Sequence, residues 1–448
     1  MHDLRKQVLL ESKKTTSRKA ASKAHTPAGS KPTSPTQSRV GSTAPSRNAS
    51  DDESEASDWG NSSIDELLSE GADDTPQDAL TADLYQRIEQ ILDKKRSSTE
   101  GRELTLNAFT TDLIRHYSKP EIQSRMSDLL PAVLKCVKAG QSEREIALGL
   151  KAIALMIITV PSDTIYDAVA NPIKSAISDS QHPTVKVAAI HAMSVATFYG
   201  GASTEETEDI MEFLLEIVSS DGASIEEPDN AEIVTAALEE WGFLATQLDD
   251  MEDATEPAMD TFVDQLESSD SRVQIAAGEN IALLFEKSYT EVESDDDSAD
   301  EEELEEARRT GGNASERMIK RYTVYRQQHN LLKALEELTR ASSKRMSKKD
   351  RKAIHAAFQD VLNTVEKPTR GPRYSTALDE DGHEYGSRLR VRIHGGGKML
   401  IDKWWKLARL NALKRLLQGG FLTHYERNEV VFESLPVIVE DDDGDEYD

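Results

Sequence analysis

The chain has one cysteine, Cys136, in 448 residues. A single thiol excludes an intramolecular disulfide framework and cannot build a zinc site alone. It sits in the apolar run LLPAVLKCV, where a buried structural thiol is expected rather than a nucleophile. Aromatic residues make up only 5%. Long apolar runs are missing too. The longest, Ala152 to Val160, falls far short of the roughly 20 residues a bilayer span needs. No apolar stretch follows the first basic residues, so no secretory signal pattern is present. These absences fit a soluble protein of the cytoplasm, with the nucleus as a second location, and no membrane partner.

Signatures of catalysis are also missing. His394-Gly395-Gly396-Gly397 resembles an oxyanion-hole tripeptide, but no G-x-S-x-G elbow accompanies it. The same glycines with Lys398 lack the spacing of a phosphate loop, and a turn before the next helix is expected there. The ten histidines form no H-E-x-x-H pair. Carboxylates crowd into solvated runs, not into isolated pairs on an apolar background. The expectation is a protein that is not an enzyme, with no cofactor, no metal and no small-molecule substrate.

What the chain does contain is charge in blocks. The formal net charge is −29. Residues 1–50 carry ten Lys/Arg against Asp3 and Glu11, whereas 51–83 carry twelve acids and no base. Such polar segments bury too little apolar surface to offset their ordering entropy, so disorder is expected over 1–80. A second acidic block, 289–306, holds eleven acids. It lacks the glycine that a calcium loop needs at its sharp turn, so it reads as an acidic linker over 288–315. Lys344 to Glu429 then reverses the sign, with nineteen Lys/Arg and ten Asp/Glu. A third acidic run closes the chain, within a tail over 436–448.

The ordered part is expected to be helical and repetitive. HPTVKVAAIHAMSVATF, from His182 to Phe198, sets alanines among larger apolar residues at helical spacing. The pattern recurs around Ala108, Leu148, Ala188, Ala236 and Ala276, at intervals of 40, 40, 48 and 40 residues. That period with helix-only chemistry is the signature of HEAT or armadillo repeats. No unit buries its own apolar face, so neighbours must stack. The fold class expected is all-α: an armadillo/HEAT-like α-solenoid over 81–287, then a helical continuation and basic C-terminal module over 316–435. The prolines between Pro131 and Pro257 are expected at helix starts and turns. Ala188 and Ala236 are expected in the core and Lys186 on the outer face.

Two basic stretches are candidate contact surfaces for RNA phosphate. The first opens with Lys344, Arg345, Lys348, Lys349, Arg351 and Lys352, then continues as an apolar stripe of Ile354, Phe358, Val361, Leu362 and Val365. The second follows Lys398. Its helical spacing sets Ile401, Trp405, Ala408, Ala412 and Leu416 on one face and Lys403, Lys406 and Arg409 on another, with Lys414 and Arg415 a turn later. Gly419 and Gly420 end that helix. It is either a helix docked on the last repeat with solvated lysines, or a basic, tryptophan-bearing helix presented to RNA or a partner groove.

Lys94–Tyr117 (KKRSSTEGRELTLNAFTTDLIRHY), the repeat array after it, and two later segments resemble the interferon-related developmental regulator family. The later segments are KKDRKAIHAAFQDVLNTVE and DKWWKLARLNALKRLLQGGFLTHYERNEVVFE. FQDVLNTVE, Phe358 to Glu366, is similar to the family's most specific motif. The pattern W-x-x-x-x-x-x-A-L-x-x-L-L-x-x-G from Trp405 is matched more loosely. Asp379–Gly397 and Ser294–Glu306 depart from the family pattern and point to a fungal or other non-animal member. The resemblance implies an armadillo-like scaffold without catalysis. It implies association with translationally inactive ribosomes through the C-terminal region, or a nuclear co-regulator role with protein partners held on the solenoid face.

In limited proteolysis, cleavage is expected first before about Thr81, while Thr81–Lys287 resists, because polar segments outside a packed core are cut readily. Equal cleavage rates in the two regions, read by mass spectrometry, would refute that boundary.

Overall fold

The computed structural model describes residues 77–93, 98–291, 318–340, 348–378, 384–393, 398–436 and 439–440. All lie within one compact unit, residues 56–448. The expectations for residues 1–76, for the acidic block from Ser294, for Lys344 and Arg345, for the glycine turn and for the tail from 441 fall outside the described residues.

Among the described residues, ten helices run to Lys287: α1 Gln77–Leu92, α2 Thr99–Arg115, α3 Lys119–Ala139, α4 Glu143–Thr159, α5 Ile165–Asp179, α6 Pro183–Tyr199, α7 Thr204–Ser219, α8 Ala231–Ala245, α9 Glu252–Gln265 and α10 Ser271–Lys287. Their starts follow from side chains that accept a first-turn amide. Ser98, Ser142, Asn230 and Asp270 cap α2, α4, α8 and α10, and Ser203 with Glu206 forms a capping box on α7. Pro183 opens α6, and Pro161 and Pro228 lie between helices. Pro131, Pro172 and Pro257 depart from expectation by lying inside α3, α5 and α9. Pro131 is exposed, so water can meet the carbonyl its missing N–H leaves unpaired.

The five alanine-rich copies are α2, α4, α6, α8 and α10. Each packs on the next, forming an inner row. The intervening helices form a second layer, in which α1 meets α3, α3 meets α5 and α7 meets α9. A 3-10 turn, Ala223–Ile225, touches both α5 and α7. This is the all-α, two-layer stacking that the repeat period implies. Among the described residues, no helix is long and apolar enough to cross a membrane.

The close contacts fall where small residues allow them. Ala189, Ala237 and Ala277 are fully buried. Gly242 of α8 leaves room for Asn280 of α10, whose Nδ2 donates to the Leu238 carbonyl at 2.8 Å; a Cβ on Gly242 would stand 2.2 Å from the Asn280 side-chain oxygen. Two residues differ from expectation. Ala188 is only partly buried, because the face of α6 is turned so that Ala189 meets the core. Lys186 is not outward-facing but 1% exposed, and its ammonium donates to the carbonyls of Ile225 at 2.6 Å and Ser178 at 3.0 Å. It ties the 3-10 turn and the end of α5 to α6.

Beyond α10 the chain stays with the same core. Strands β1 Tyr289–Glu291 and β2 Met318–Lys320 pair antiparallel, so the acidic block is bracketed by a two-stranded ribbon. Helices α11 Gln328–Arg340 and α12 Lys348–Glu366 form the next pair, and α12 packs on α10. The predicted stripe Ile354, Phe358, Val361 and Val365 is buried there. The expected boundary at 287 therefore does not divide the core, which runs unbroken from α1 to the C-terminal helices.

Short strands follow, which the helical expectation for 316–435 lacks: β3 Tyr374–Leu378 with β4 Glu384–Ser387, and β5 Arg390–Arg392 with β6 Lys398–Leu400 and β7 Val439–Glu440. Between β6 and β7 lie helices α13 Trp404–Leu417, α14 Phe421–Arg427 and α15 Glu429–Ser434.

Lys186→Glu would set a carboxylate against two carbonyls in the core and should cost several kcal/mol, as should Ala236→Glu, because each buries an unpaired charge. Thermal melting of both variants checks this; a Lys186→Glu protein that melts with the parent would refute the buried placement.

Candidate functional site

The inner row keeps one side uncovered by the outer layer. Helix α13 lies across that side, touching α10, α8, α4 and α2. Its apolar payload is Leu410, Leu413 and Leu417, each nearly fully buried and worth roughly 1.5–3 kcal/mol of burial.

Polar contacts fix its position at four places. At its start, the Glu286 carboxylate of α10 accepts the backbone N–H of Trp404 at 2.7 Å and of Trp405 at 3.0 Å. A carboxylate at a helix N-terminus meets orphan amides and the positive end of the macrodipole. Burial nevertheless pushes Glu286 up to about 7, against the pull of those two amides. Beside it, Trp404 is 3% exposed and its indole N–H donates to Thr364 Oγ1 of α12 at 2.7 Å. One turn on, Arg409 donates to Thr246 Oγ1, the Thr246 carbonyl and the Ser434 carbonyl at 2.8–2.9 Å. Its guanidinium lies over the rings of Phe198 and Trp405, 5.1 and 5.0 Å from their centroids.

At the third place, Arg415 meets Glu240 at 2.7 Å and Glu239 at 3.3 Å, both on α8. His191 of α6 approaches the same Glu240 oxygen at 2.7 Å. Burial alone would raise the Glu240 carboxyl, but Arg415 and His191 outweigh it and hold it below the usual range. Likewise, burial works to lower Arg415, and Glu239 and Glu240 more than offset it. A cavity of about 30 Å³ opens between α8, α10 and α13, with Glu279 and Asn411 on its wall. It has room for a water molecule and for little more. Glu279 is half-buried, and burial with Glu239 nearby pushes it up to about 7.

At the far end the segment reaches α2 and α4. Gly420 approaches the Ile114 carbonyl so closely that a Cβ would fall 1.7 Å from it. The buried His424 ring donates from Nε2 to the Leu113 carbonyl at 2.9 Å, and Asn428 donates to the Ile158 carbonyl at 2.9 Å. Residues 404–435 thus run along the inner row from α12 back to α2.

This sorts the basic residues singled out from sequence. Arg409 and Arg415 are internal anchors, not solvent-facing cations. The expected apolar face is also rotated: Trp404 is the core tryptophan, while Trp405 is half-buried beneath Arg409. Lys406 is half-buried and paired with Asp402 at 2.6 Å. Lys414 is half-buried, and burial pushes its ammonium down to about 8. Lys398 and Lys403 are half-buried on β6 and just before α13, whereas Arg351 and Lys352 are exposed on α12. Lys348 and Lys349 are placed on α12 by backbone only. The helix ends at Leu417, as Gly419 and Gly420 suggest. Sequence reasoning missed Glu239, Glu240, Glu286 and Trp404. The signal for the first two was a pair of carboxylates within the otherwise apolar NAEIVTAALEEWGFLA. Among the described residues, no group of three His, Cys, Asp or Glu is placed to hold a metal.

The fold defines a helical-repeat scaffold whose inner face is closed by its own C-terminal segment. Residues 46–366 match the family model described as interferon-related developmental regulator, and the chain belongs to that family. The matched range ends at Glu366, before strands β3 to β7 and α13. Interferon-related developmental regulator 1 of Sus scrofa is 25% identical over 389 residues, covering 82% of this chain and 74% of that protein. Interferon-related developmental regulator 2 of Mus musculus is 24% identical over 385 residues, covering 82% and 75%. An uncharacterised protein of Schizosaccharomyces pombe is 24% identical over 355 residues, covering 78% and 73%.

Arg415→Ala should cost about 3–5 kcal/mol in chemical denaturation, because it leaves Glu240 buried without its cation. Arg351→Ala on the exposed face should stay within about 0.5 kcal/mol. For Glu279, a raised folded pKa means that the native state binds the extra proton, so stability falls as pH rises from the unfolded value near 4.5 through about 7. Glu279→Gln removes that cost. Its melting temperature relative to the parent should climb between pH 5 and pH 8, by an equivalent of about 1–2 kcal/mol. A pH-independent difference would refute the assignment.

Proposed function

We propose that this chain is a non-catalytic scaffold that binds the ribosome through rRNA with its C-terminal basic portion and restrains translation on inactive ribosomes. Family membership supports a regulator; the ribosomal partner is the finer reading. The observation that carries it is the placement of cations in a chain of net charge −29. Arg351 and Lys352 stay exposed on α12, and further cations line 388–403, while the anchoring arginines are turned inward. Exposed cations in a strongly acidic chain suit a polyanion, and the acidic blocks repel it elsewhere. Cytoplasmic location goes with this role.

A nuclear co-regulator scaffold is the second reading. It draws on the regulator names of the relatives. The inner row is already covered by α13–α15, so a peptide partner on the solenoid would use the outer layer or displace that segment.

Sucrose-gradient sedimentation of tagged protein, with and without RNase, separates the two. Comigration with ribosomal particles that RNase treatment alters is expected. The triple variant Arg351→Ala, Lys352→Ala, Lys403→Ala should lower the log–log salt slope of binding by about 2, at 0.7–0.9 per lost phosphate contact. A parent chain that stays at the top of the gradient at every salt concentration would sink the ribosomal reading.

A further inference from the structure

The basic strands after α12 lie beyond the range matched by the family model, residues 46–366. From Ser387 to Ile401 there are four Lys/Arg and no Asp/Glu. Strands β5 and β6 pair antiparallel with Arg390 opposite Leu400, Val391 opposite Met399 and Arg392 opposite Lys398. Val391 and Met399 are buried at 4% and 0% and turn one side of the sheet to the core. Alternation along a strand then sends Arg390 and Arg392 to the other side, and both are exposed. Arg388, two residues earlier, is exposed as well. Arg390 and Arg392 therefore stand about 6.8 Å apart on one face of β5, a separation comparable to that of successive phosphates in an extended strand, and the exposed Arg388 precedes them just outside it.

An aromatic ring stands beside them. Tyr385 on β4 is 59% exposed, and the Arg388 guanidinium lies 5.9 Å from its ring centroid. A tyrosine left in solvent next to a row of arginines offers a π-face to an unstacked base while the arginines meet the backbone. The strip ends at β7, where Glu440 stands opposite Lys398 and the acidic tail begins.

We propose that Tyr385, Arg388, Arg390 and Arg392 form a docking surface for single-stranded RNA. The inference rests on the RNA-binding reading above and moves its centre from α12 to the run from β4 into β5. A duplex keeps its bases stacked and gives Tyr385 nothing to do, so single strands are preferred.

The test is fluorescence anisotropy of the full chain with a labelled, unstructured RNA of about 16 nucleotides, across a salt series. The variant Arg388→Ala, Arg390→Ala, Arg392→Ala should keep the parental melting temperature and lose about 2 units of salt slope, at about 0.7 per contact. The matching Arg→Lys triple variant should restore the slope. Tyr385→Ala should weaken binding about 5- to 100-fold with the slope unchanged. A folded Arg→Ala triple variant with parental affinity and slope overturns the proposal. So does displacement of RNA by polyglutamate with no effect of Tyr385→Ala, which would assign the strip to an acidic protein. If the triple variant still sediments with ribosomes as the parent does, this surface fails and the ribosomal reading stands. If the parent itself does not sediment, that reading fails first.

Discussion

A stack of helix pairs solves its packing problem on one side at a time. The inner row α2–α4–α6–α8–α10 buries neighbour against neighbour, and the outer layer covers one flank. The other flank needs a cover, and residues 404–435 supply it. Shape alone does not fix a helix on such a surface, because leucines slide. The fixed points are polar: Glu286 on the first amides of α13, Arg409 on the Thr246 carbonyl, Arg415 on Glu240, and Asn428 on the Ile158 carbonyl. Each buried group must find its partner or pay its desolvation, so the register of the segment is specified along its length.

The same rule divides the cations of an acidic protein into two populations. Those that reach the inner row meet carboxylates or carbonyls and hold the fold. Lys186 belongs with them, although it lies in the repeat array and not in the C-terminal segment. Arg351 and Lys352 on α12 and Arg388, Arg390 and Arg392 stay at the surface. Charge counts over a stretch of sequence mix the two. The net positive balance of 344–429 includes arginines committed to the interior, Arg409 and Arg415 among them.

The buried carboxylates set a direction for pH. Glu279 and Glu286 are pushed up to about 7, whereas Glu240 is held low by its cation and histidine. The first two weaken the fold as pH rises through their range; Glu240 weakens it as pH falls. All three lie under α13, so their protonation acts on the closure of the inner face.

The repeat period and the helical chemistry were legible in the chain because both are local: alanines at fixed spacing need only a neighbour of the same kind. The apolar stripe of α12 and the end of α13 at Leu417 were legible for the same reason. The short strands were not, since residues 374–400 carry no sustained alternation, and β5–β6 is held by a buried Val391–Met399 pair that only folding brings together. Adjacent tryptophans gave no local reason to prefer one, and Trp404 became the core residue because Thr364, forty residues away, receives its N–H. The sequence by itself determined a stacked helical scaffold with a basic end. Which cations anchor and which face solvent was decided only by tertiary structure, because a charge takes its role from partners that lie far along the chain.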